Sequence, residues 1–351
     1  REKQVFKPSS GRYVKIYTCG PTVYDYAQIG NLRSYIFPDV LKRLFEYSGY
    51  EVKQIINITD VGHLQSDADE GEDKMTAGLK REGLTLNLES MKLLADRYAT
   101  AFIEDIKDLN IELPFAFPRA SEHIPEQIAY IQALYDKGYA YTTSDGVYFD
   151  TGKFPKYGIL GGTGSSEEHA RVATNKEKRH PQDFSLWKFN EKLGWDTPWG
   201  KGFPGWHIEC TAMSTKYLGK SFDIHTGGID HIPIHHNNEI AQAEAASGQE
   251  FVRYWLHGAF IGVEGKRIGK SEGNAIRLYQ LKERGFNPLA YRYLILTGHY
   301  RSPMNFTWEA LEAAQTALYR ALRIFADLSG TGNISVAARE KFERALKDDL
   351  N

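Results

Sequence analysis

The chain has almost no cysteine: its 351 residues include two, Cys19 and Cys210, which lie far apart in sequence. Two distant cysteines do not form the disulfide framework that is typical of small secreted domains. Each cysteine is therefore either a buried, unreactive thiol or a metal ligand or catalytic residue. No apolar run approaches the roughly 20 residues that span a bilayer. No signal-peptide pattern opens the sequence. We therefore expect no membrane association and a cytoplasmic location.

An excess of charge of one sign is also missing, because 43 basic and 45 acidic residues give a formal net charge of −2. A nucleic-acid binder needs a local basic face rather than a basic total, so this balance neither requires nor excludes such a partner. Apolar residues make up 42% of the chain and aromatic residues 13%, which is ample material for cores. At this length we expect two or three compact units.

The opening of the chain alternates strand and helix patterns. Residues 13–18 (YVKIYT) and 51–58 (EVKQIINI) are strand-like, and residues 29–47 between them have helical spacing. This order predicts an α/β fold with a doubly wound parallel sheet. Ligands bind such sheets at the carboxyl ends of the strands, where Cys19 and Thr59 both lie.

Composition and periodicity divide the chain into four stretches. We expect the first half of the doubly wound domain in residues 1–114 and its second half in 206–275. An inserted α+β subdomain is predicted for 115–205. Residues 276–351 are predicted to be mainly helical, and the sequence stops inside a helix pattern, as a fragment of a longer protein would.

Local motifs indicate ligands but leave them open. His235 and Glu239 are four residues apart on a predicted helix, so both can face one cation, although this spacing is common by chance. The glycine-rich run 265–271 (GKRIGKS) is one residue short of a Walker A loop, yet a basic loop can still meet phosphate. We expect Gly227 and Gly228 to form a turn after a strand, and the run 227–230 (GGID) would let a nucleotide approach the backbone and offer a carboxylate to a ribose.

Longer strings carry a family resemblance. They are 17–25 (YTCGPTVYD), 28–31 (QIGN), 57–60 (NITD), 205–210 (GWHIEC), 222–225 (FDIH), 227–230 (GGID), 235–242 (HHNNEIAQ) and 267–271 (RIGKS). In this order they resemble the signatures of cysteinyl-tRNA synthetases, which are class I aminoacyl-tRNA synthetases. The resemblance covers nearly the whole chain, and it implies a Rossmann-like catalytic domain that charges tRNA-Cys with L-cysteine and ATP.

The resemblance also implies ligands and roles. One zinc ion would be held by Cys19, Cys210, His235 and Glu239. Zinc prefers a thiolate to a hydroxyl, so it would select cysteine against serine, and no editing site would be needed. The residues implied to line the cysteine pocket are Gly20, Thr22, Thr59, Trp206 and His225.

The implied nucleotide site follows the same mapping. The residues expected to bind ATP are Gln28, Gly30, Asn31, Gly227, Gly228, Asp230, Arg267, Lys270 and Ser271. Among them, Gln28, Asn31 and Lys270 would stabilise charge as the adenylate forms, with Mg²⁺ expected beside the phosphates. The expected partners are tRNA-Cys, L-cysteine and ATP, and we expect a monomer.

The chain departs from the family pattern at a few positions. Gln28 replaces the first histidine of the HIGH signature, Arg267 and Gly269 replace the lysine and serine of KMSKS, and Asn237 replaces a glutamate. The four metal candidates are intact. Two other interpretations stay open: a ligase similar to mycothiol ligase, which passes cysteine to an amino sugar, and a paralogue that binds cysteine or tRNA without catalysis.

Overall fold

The structure is a computed structural model, and it describes residues 3–61, 74–161, 175–268, 274–328, 332–333 and 335–351. The helices of these ranges are α1 (Ile29–Tyr47), α2 (Lys74–Arg81), α3 (Leu88–Asp108), α4 (Ile124–Asp136), α5 (Trp206–Leu218), α6 (Asn237–Ser247), α7 (Leu278–Glu283), α8 (Pro288–Leu296), α9 (Trp308–Asp327) and α10 (Val336–Lys347). The strands are β1 (Tyr13–Thr18), β2 (Glu51–Ile56), β3 (Ala140–Thr142), β4 (Gly146–Phe149), β5 (Phe184–Phe189), β6 (Gly202–Pro204), β7 (Phe222–Gly228), β8 (Val252–Gly258), β9 (Ile261–Val263), β10 (Lys266–Arg267) and β11 (Met304–Phe306).

The central layer is a sheet of four parallel strands in the order β2-β1-β7-β8. Thr18, the last residue of β1, lies opposite Ile56 of β2 on one side and opposite Thr226 of β7 on the other. Strands β7 and β8 run in register to Gly228 opposite Gly258. The carboxyl ends of the strands therefore form one edge, from which the candidate ligands project.

Helices cover both faces of this sheet. Ile16 of β1 packs in one apolar cluster with Leu41 and Phe45 of α1. Tyr17, the next residue, packs in another cluster with Met213 of α5. Because successive strand residues point to opposite faces, α1 and α5 lie on different sides of the sheet. The α/β class and the doubly wound arrangement predicted from the sequence are confirmed.

One local expectation was wrong. We expected Gly227 and Gly228 to form a turn, but they are the last residues of β7. Their partners are His257 and Gly258 in the parallel strand β8. Glycine has a low intrinsic preference for strands, but pairing with β8 stabilises the extended backbone here. This tertiary contact therefore outweighs the local preference of the two glycines for a turn.

An antiparallel sheet, β3-β4-β5-β6, lies within the stretch predicted as an insertion. Phe149 and Trp187 are fully buried in it and pack with Ile208 of α5 and Ile240 of α6. The insertion therefore rests on the helices of the second half of the parallel sheet. Since this apolar cluster crosses the predicted boundary, the limits of the four stretches stay predictions.

The residues after 276 are mainly helical, as predicted, with β11 as an exception that pairs with β9. Tyr291 of α8 and Phe306 of β11 are fully buried in a cluster that also includes Phe102 of α3. The Tyr291 hydroxyl donates to the carbonyl of Ile29 at 2.6 Å. This bond ties the helical region to the first turn of α1. Among the described helices, none has the length and apolarity to cross a membrane.

Asp39 anchors three elements to one another. Its fully buried carboxylate accepts from Arg43 Nε at 3.0 Å and from the Glu112 N–H at 2.8 Å. Arg292 Nη2 of α8 donates to the same group at 2.5 Å. One side chain thus joins α1, the segment after α3 and α8.

Removing this anchor should destabilise the fold. We expect Asp39→Ala to lower the free energy of unfolding by about 3–5 kcal/mol, because it leaves the partly buried Arg292 without its counter-ion. Lys92→Ala, which breaks an exposed pair with Asp96, should cost less than about 1 kcal/mol. Urea denaturation of both variants measures the difference. Equal losses would contradict the assigned role of Asp39.

Candidate metal centre and active site

The two cysteines meet at the carboxyl edge of the parallel sheet. Cys19 follows β1 directly, and its N–H donates to the carbonyl of Thr226 in β7 at 3.0 Å. Cys210 lies in α5, in the apolar cluster that also holds Tyr17 of β1. Both thiols are free and buried. The end of β1 and helix α5 therefore bring together two cysteines whose proximity could not be predicted from their spacing in the sequence.

A helical irregularity supplies the other two donors. After β7, a π-helical turn, Ile232–His236, presents His235, and Glu239 follows in the first turn of α6. π-helical turns are rare in proteins, and many of those that occur lie at functional sites. One donor atom from each of Cys19, Cys210, His235 and Glu239 lies within 4.8 Å of the others, and all four residues are buried. These four residues could hold a metal ion.

The four side chains perturb one another strongly. Burial raises the pKa of the Cys19 thiol, and its hydrogen bond to Cys210 raises it further. That bond, with the nearby His235, outweighs burial and lowers the pKa of Cys210 to about 6. Burial opposes ionisation of Glu239, but His225 and His235 lower its pKa to about 2. Burial opposes protonation of His235, but Glu239 and Cys210 raise its pKa to about 10. The cluster is therefore arranged to hold positive charge beside Cys210 and Glu239.

Two buried donor atoms mark the place where such a cation would lie. Nε2 of His235 and Oε1 of Glu239 face each other at 2.9 Å as an ion pair, without the geometry of a good hydrogen bond to any described residue. Buried polar atoms are stabilised by full hydrogen bonds or by a bound ion. A cation between these atoms and the two thiols would be bound by both. Two thiolates, an imidazole and a carboxylate form a donor set that suits a divalent metal.

Histidines surround this donor set. Nε2 of His225 lies 2.8 Å from Oε2 of Glu239, and Nε2 of His236 lies 3.4 Å from Sγ of Cys19. On its other side, Nδ1 of His236 lies 2.8 Å from Nε2 of His257. Such partners orient metal ligands. His225 and His236 also form a second, overlapping donor group with Cys19 and Glu239.

The candidate ligand His235 is held from two sides. Its Nδ1 lies 2.8 Å from Nδ1 of His207, and the ring of Trp206 packs on it with 4.1 Å between centroids. Three histidines to which the sequence patterns assign no role also surround the cluster: His207, His231 and His257. The available signal was positional for one of them, because His257 lies next to the last residue of the parallel strand β8.

Three other candidates for the cysteine pocket lie beside Cys19. Thr22 and Thr59 are paired by an isolated parallel bridge. Gly20 approaches the backbone so closely that a Cβ would lie 1.5 Å from the carbonyl oxygen of Asn57. Only glycine fits there. The structure thus places Gly20 and Thr22 in the loop that follows Cys19 and pairs Thr59 with that loop, while Trp206 contacts His235 and His225 contacts Glu239.

The nucleotide candidates fall into two groups. Gln28, Gly30 and Asn31 lie at the amino end of α1, where Asn31 Oδ1 accepts from the Gln28 N–H at 3.1 Å. A Cβ on Gly30 would lie 3.0 Å from Ile268, so this end contacts the segment that follows Arg267. Gly227 and Gly228, the last residues of β7, form the other group with the exposed Asp230 that follows them. Lys270 and Ser271 lie outside the described residues.

Comparison with known proteins places this geometry in context. Residues 5–316 match the family described as tRNA synthetases class I (C) catalytic domain. The chain is 49% identical over 359 residues to cysteine–tRNA ligase 1 of Burkholderia lata, covering 100% of this chain and 75% of that protein. It is 47% identical over 321 residues to the cysteine–tRNA ligase of Treponema denticola, covering 90% of this chain and 64% of that one.

A solved structure shares the fold. Mycobacterium tuberculosis methionyl-tRNA synthetase in complex with methionyl-adenylate superposes with a TM-score of 0.70 at 15% sequence identity. The match covers 97% of this chain and 79% of that one. At this low identity the likeness concerns architecture alone.

The donor cluster makes metal binding directly testable. We expect the protein to retain one zinc ion per chain after dialysis against a weak chelator. Cys210→Ser should lower zinc affinity at least about 100-fold, since loss of a direct ligand should exceed the effect of losing an orienting partner. Metal content by atomic emission, in competition with a chelator of known affinity, measures this. Met213→Leu on the same helix conserves volume and should keep the ion; equal zinc in all three proteins would contradict the site.

Proposed function

We propose that this chain, which belongs to the class I tRNA synthetase family like its cysteine–tRNA ligase relatives, activates L-cysteine with ATP and transfers it to tRNA-Cys. The observation that carries this proposal is the buried four-donor cluster at the ligand-binding edge of the sheet. Cysteine differs little in size from serine and alanine, and shape alone separates such side chains weakly. A cluster that binds a thiophilic metal would let the enzyme distinguish cysteine from serine and alanine by the affinity of the metal for sulfur.

Zinc is the ion that this donor set suits best. Held by Cys19, Cys210, His235 and Glu239, it would supply a soft Lewis acid that prefers the substrate thiolate to a hydroxyl. His225, hydrogen-bonded to Glu239 at 2.8 Å, would fix the orientation of that carboxylate. Both side chains are fully buried, which supports a rigid arrangement.

The remaining pocket residues would orient the substrate. The Trp206 ring, packed on His235, would form an apolar wall and exclude water. Gly20, Thr22 and Thr59 would meet the amino acid beside Cys19. Holding the carboxylate of cysteine in line with the α-phosphate of ATP is worth several kcal/mol by positioning alone.

The nucleotide would lie along the same edge of the sheet. Gln28, Gly30 and Asn31 would receive phosphates at the amino end of α1, where the positive end of the helix dipole favours anions. Gly227 and Gly228 would allow close approach of the nucleoside. Asp230 would accept from the ribose hydroxyls, while Arg267, Lys270, Ser271 and Mg²⁺ would balance the charge that develops on the phosphates.

The wider setting follows from this activity. tRNA-Cys would be the acceptor of the cysteinyl group. We propose that the protein acts as a monomer in the cytoplasm.

Charging should depend on the thiophilic cluster. We expect the protein to charge tRNA with cysteine and to lose this activity on treatment with a strong chelator. Cys210→Ser should lower kcat/KM for cysteine in ATP–pyrophosphate exchange at least about 100-fold and reduce the preference for cysteine over serine. Met213→Leu serves as the control. Unchanged selectivity in Cys210→Ser would remove the metal from the mechanism.

Gln28 gives a second test. Gln28→His introduces a side chain that can carry positive charge at the amino end of α1. We expect the single-turnover rate of adenylate formation to rise about tenfold through better stabilisation of the transition state. Gln132→His on the exposed face of α4 controls for the substitution itself. A rate that does not change would show that glutamine already serves this position fully.

A further inference from the structure

The amino end of α1 contacts the chain on both sides of the basic run 265–271. On the near side, Ile268 lies so close to Gly30 that a Cβ on this glycine would be 3.0 Å from the isoleucine side chain. On the far side, the Ile29 N–H donates to the carbonyl of Ile276 at 2.8 Å. The chain therefore leaves this end of α1 and returns to it.

A side-chain hydrogen bond joins the two sides of the run to each other. Nδ2 of Asn274 donates to the carbonyl of Arg267 at 3.0 Å. Arg267 also pairs with Gly262 across the short strands β10 and β9. The backbone of Arg267, a candidate ligand of ATP, is thus held from one side by β9 and from the other by Asn274. Its placement depends on where the returning chain is fixed.

An ion pair fixes that return. Arg277 forms an isolated antiparallel bridge with Gln28, and its Nη2 donates to both carboxylate oxygens of Asp25 at 3.2 Å. The two side chains are 26% and 13% exposed, so water screens this pair less than an ordinary surface pair. Nη1 of Arg81 in α2 lies 3.3 Å from the same carboxylate. Asp25 is therefore itself held in place by a second cation.

The charge of Asp25 also matters at this position. Asp25 precedes Gln28 by three residues, and Gln28 begins the end of α1 that is proposed to receive phosphates. A carboxylate without a counter-ion would repel such anions. Arg277 therefore meets two requirements of a phosphate site, because it anchors the returning chain and offsets the negative charge of Asp25.

We propose that Asp25 and Arg277 are positioning residues for adenylate formation, which hold the backbone of Arg267 in register with the amino end of α1. This inference rests on the proposed function. Arg267 would act on the phosphates of ATP, and the ion pair would act through Arg267. The metal cluster binds the amino acid separately, so loss of the ion pair should affect the step that involves ATP and spare the binding of cysteine.

Arg277→Gln tests this division. We expect it to lower the single-turnover rate of adenylate formation about tenfold or more, because a small misplacement of a charged group is costly in such a step. The KM for ATP should rise. The Kd for L-cysteine, measured by calorimetry without ATP, and the zinc content should keep their wild-type values. Arg277→Lys keeps the positive charge and should restore the rate to within about threefold of the wild type.

Asp25→Asn is isosteric and provides a second route should Arg277→Gln fail to fold. It should slow adenylate formation in the same way, and the two substitutions together should cost no more than Arg277→Gln alone. In an Arg267→Gln background, Arg277→Gln should cost less than about threefold, because its target of positioning is gone.

Lys282→Gln is the matched control. It removes another cation of the segment that follows the run, since Lys282 of α7 pairs with Asp108 of α3 at 2.7 Å. Both side chains of that pair are largely exposed, and neither contacts the amino end of α1 in the part of the chain that the structure describes. The variant should form the adenylate at the wild-type rate.

Three results would overturn the inference. They are unchanged adenylate formation in Arg277→Gln and Asp25→Asn, a full loss that persists in the Arg267→Gln background, and weaker cysteine binding or lower zinc content in these variants. The last would show that the ion pair supports the fold as a whole. In each case a wild-type protein with cysteine-dependent exchange leaves the proposed function intact. A wild-type protein without that exchange would reject the proposed function, and this inference with it.

Discussion

The mutual burial of two thiols and a carboxylate is the constraint on which the site depends. Removing several potential anions from water costs several kcal/mol for each one, unless positive charge or hydrogen bonds compensate. Here the compensation is partly built from protein, since imidazoles contact Glu239 and Cys19. It remains incomplete, because Nε2 of His235 and Oε1 of Glu239 face each other without a well-formed hydrogen bond. A site that the polypeptide alone cannot satisfy is one that favours a bound cation.

The strand order makes this convergence possible. Because β7 inserts beside β1 rather than beyond β2, Cys19, the residue after β1, bonds to Thr226 near the carboxyl end of β7. Helix α5 leads into β7 and packs on the face of the sheet that Tyr17 occupies, which brings Cys210 to the same edge. The π-helical turn then shifts His235 and Glu239 toward the thiols. A parallel sheet thus assembles residues from the two halves of the sequence.

Local periodicity placed the first strand and the first helix. β1 and α1 have the predicted bounds, because their apolar spacing and their packing agree. Gly227 and Gly228 were misplaced because strand pairing with β8 is not visible in local sequence. The convergence of Cys19 and Cys210 had no local signal, and only resemblance to a family indicated it. No local pattern marks His207, His231 and His257, because their neighbours come from other strands and helices.

The commitment of both thiols to one dry cluster has a practical consequence. The sequence offers two cysteines, and each is enclosed with the other. With a metal bound, the surface of the wild-type protein would present no thiol to a maleimide. A cysteine introduced at an exposed position would then be a unique attachment point for a fluorophore or spin label, without prior removal of native residues. The chain is in this respect a ready background for distance measurements by single-molecule or paramagnetic methods.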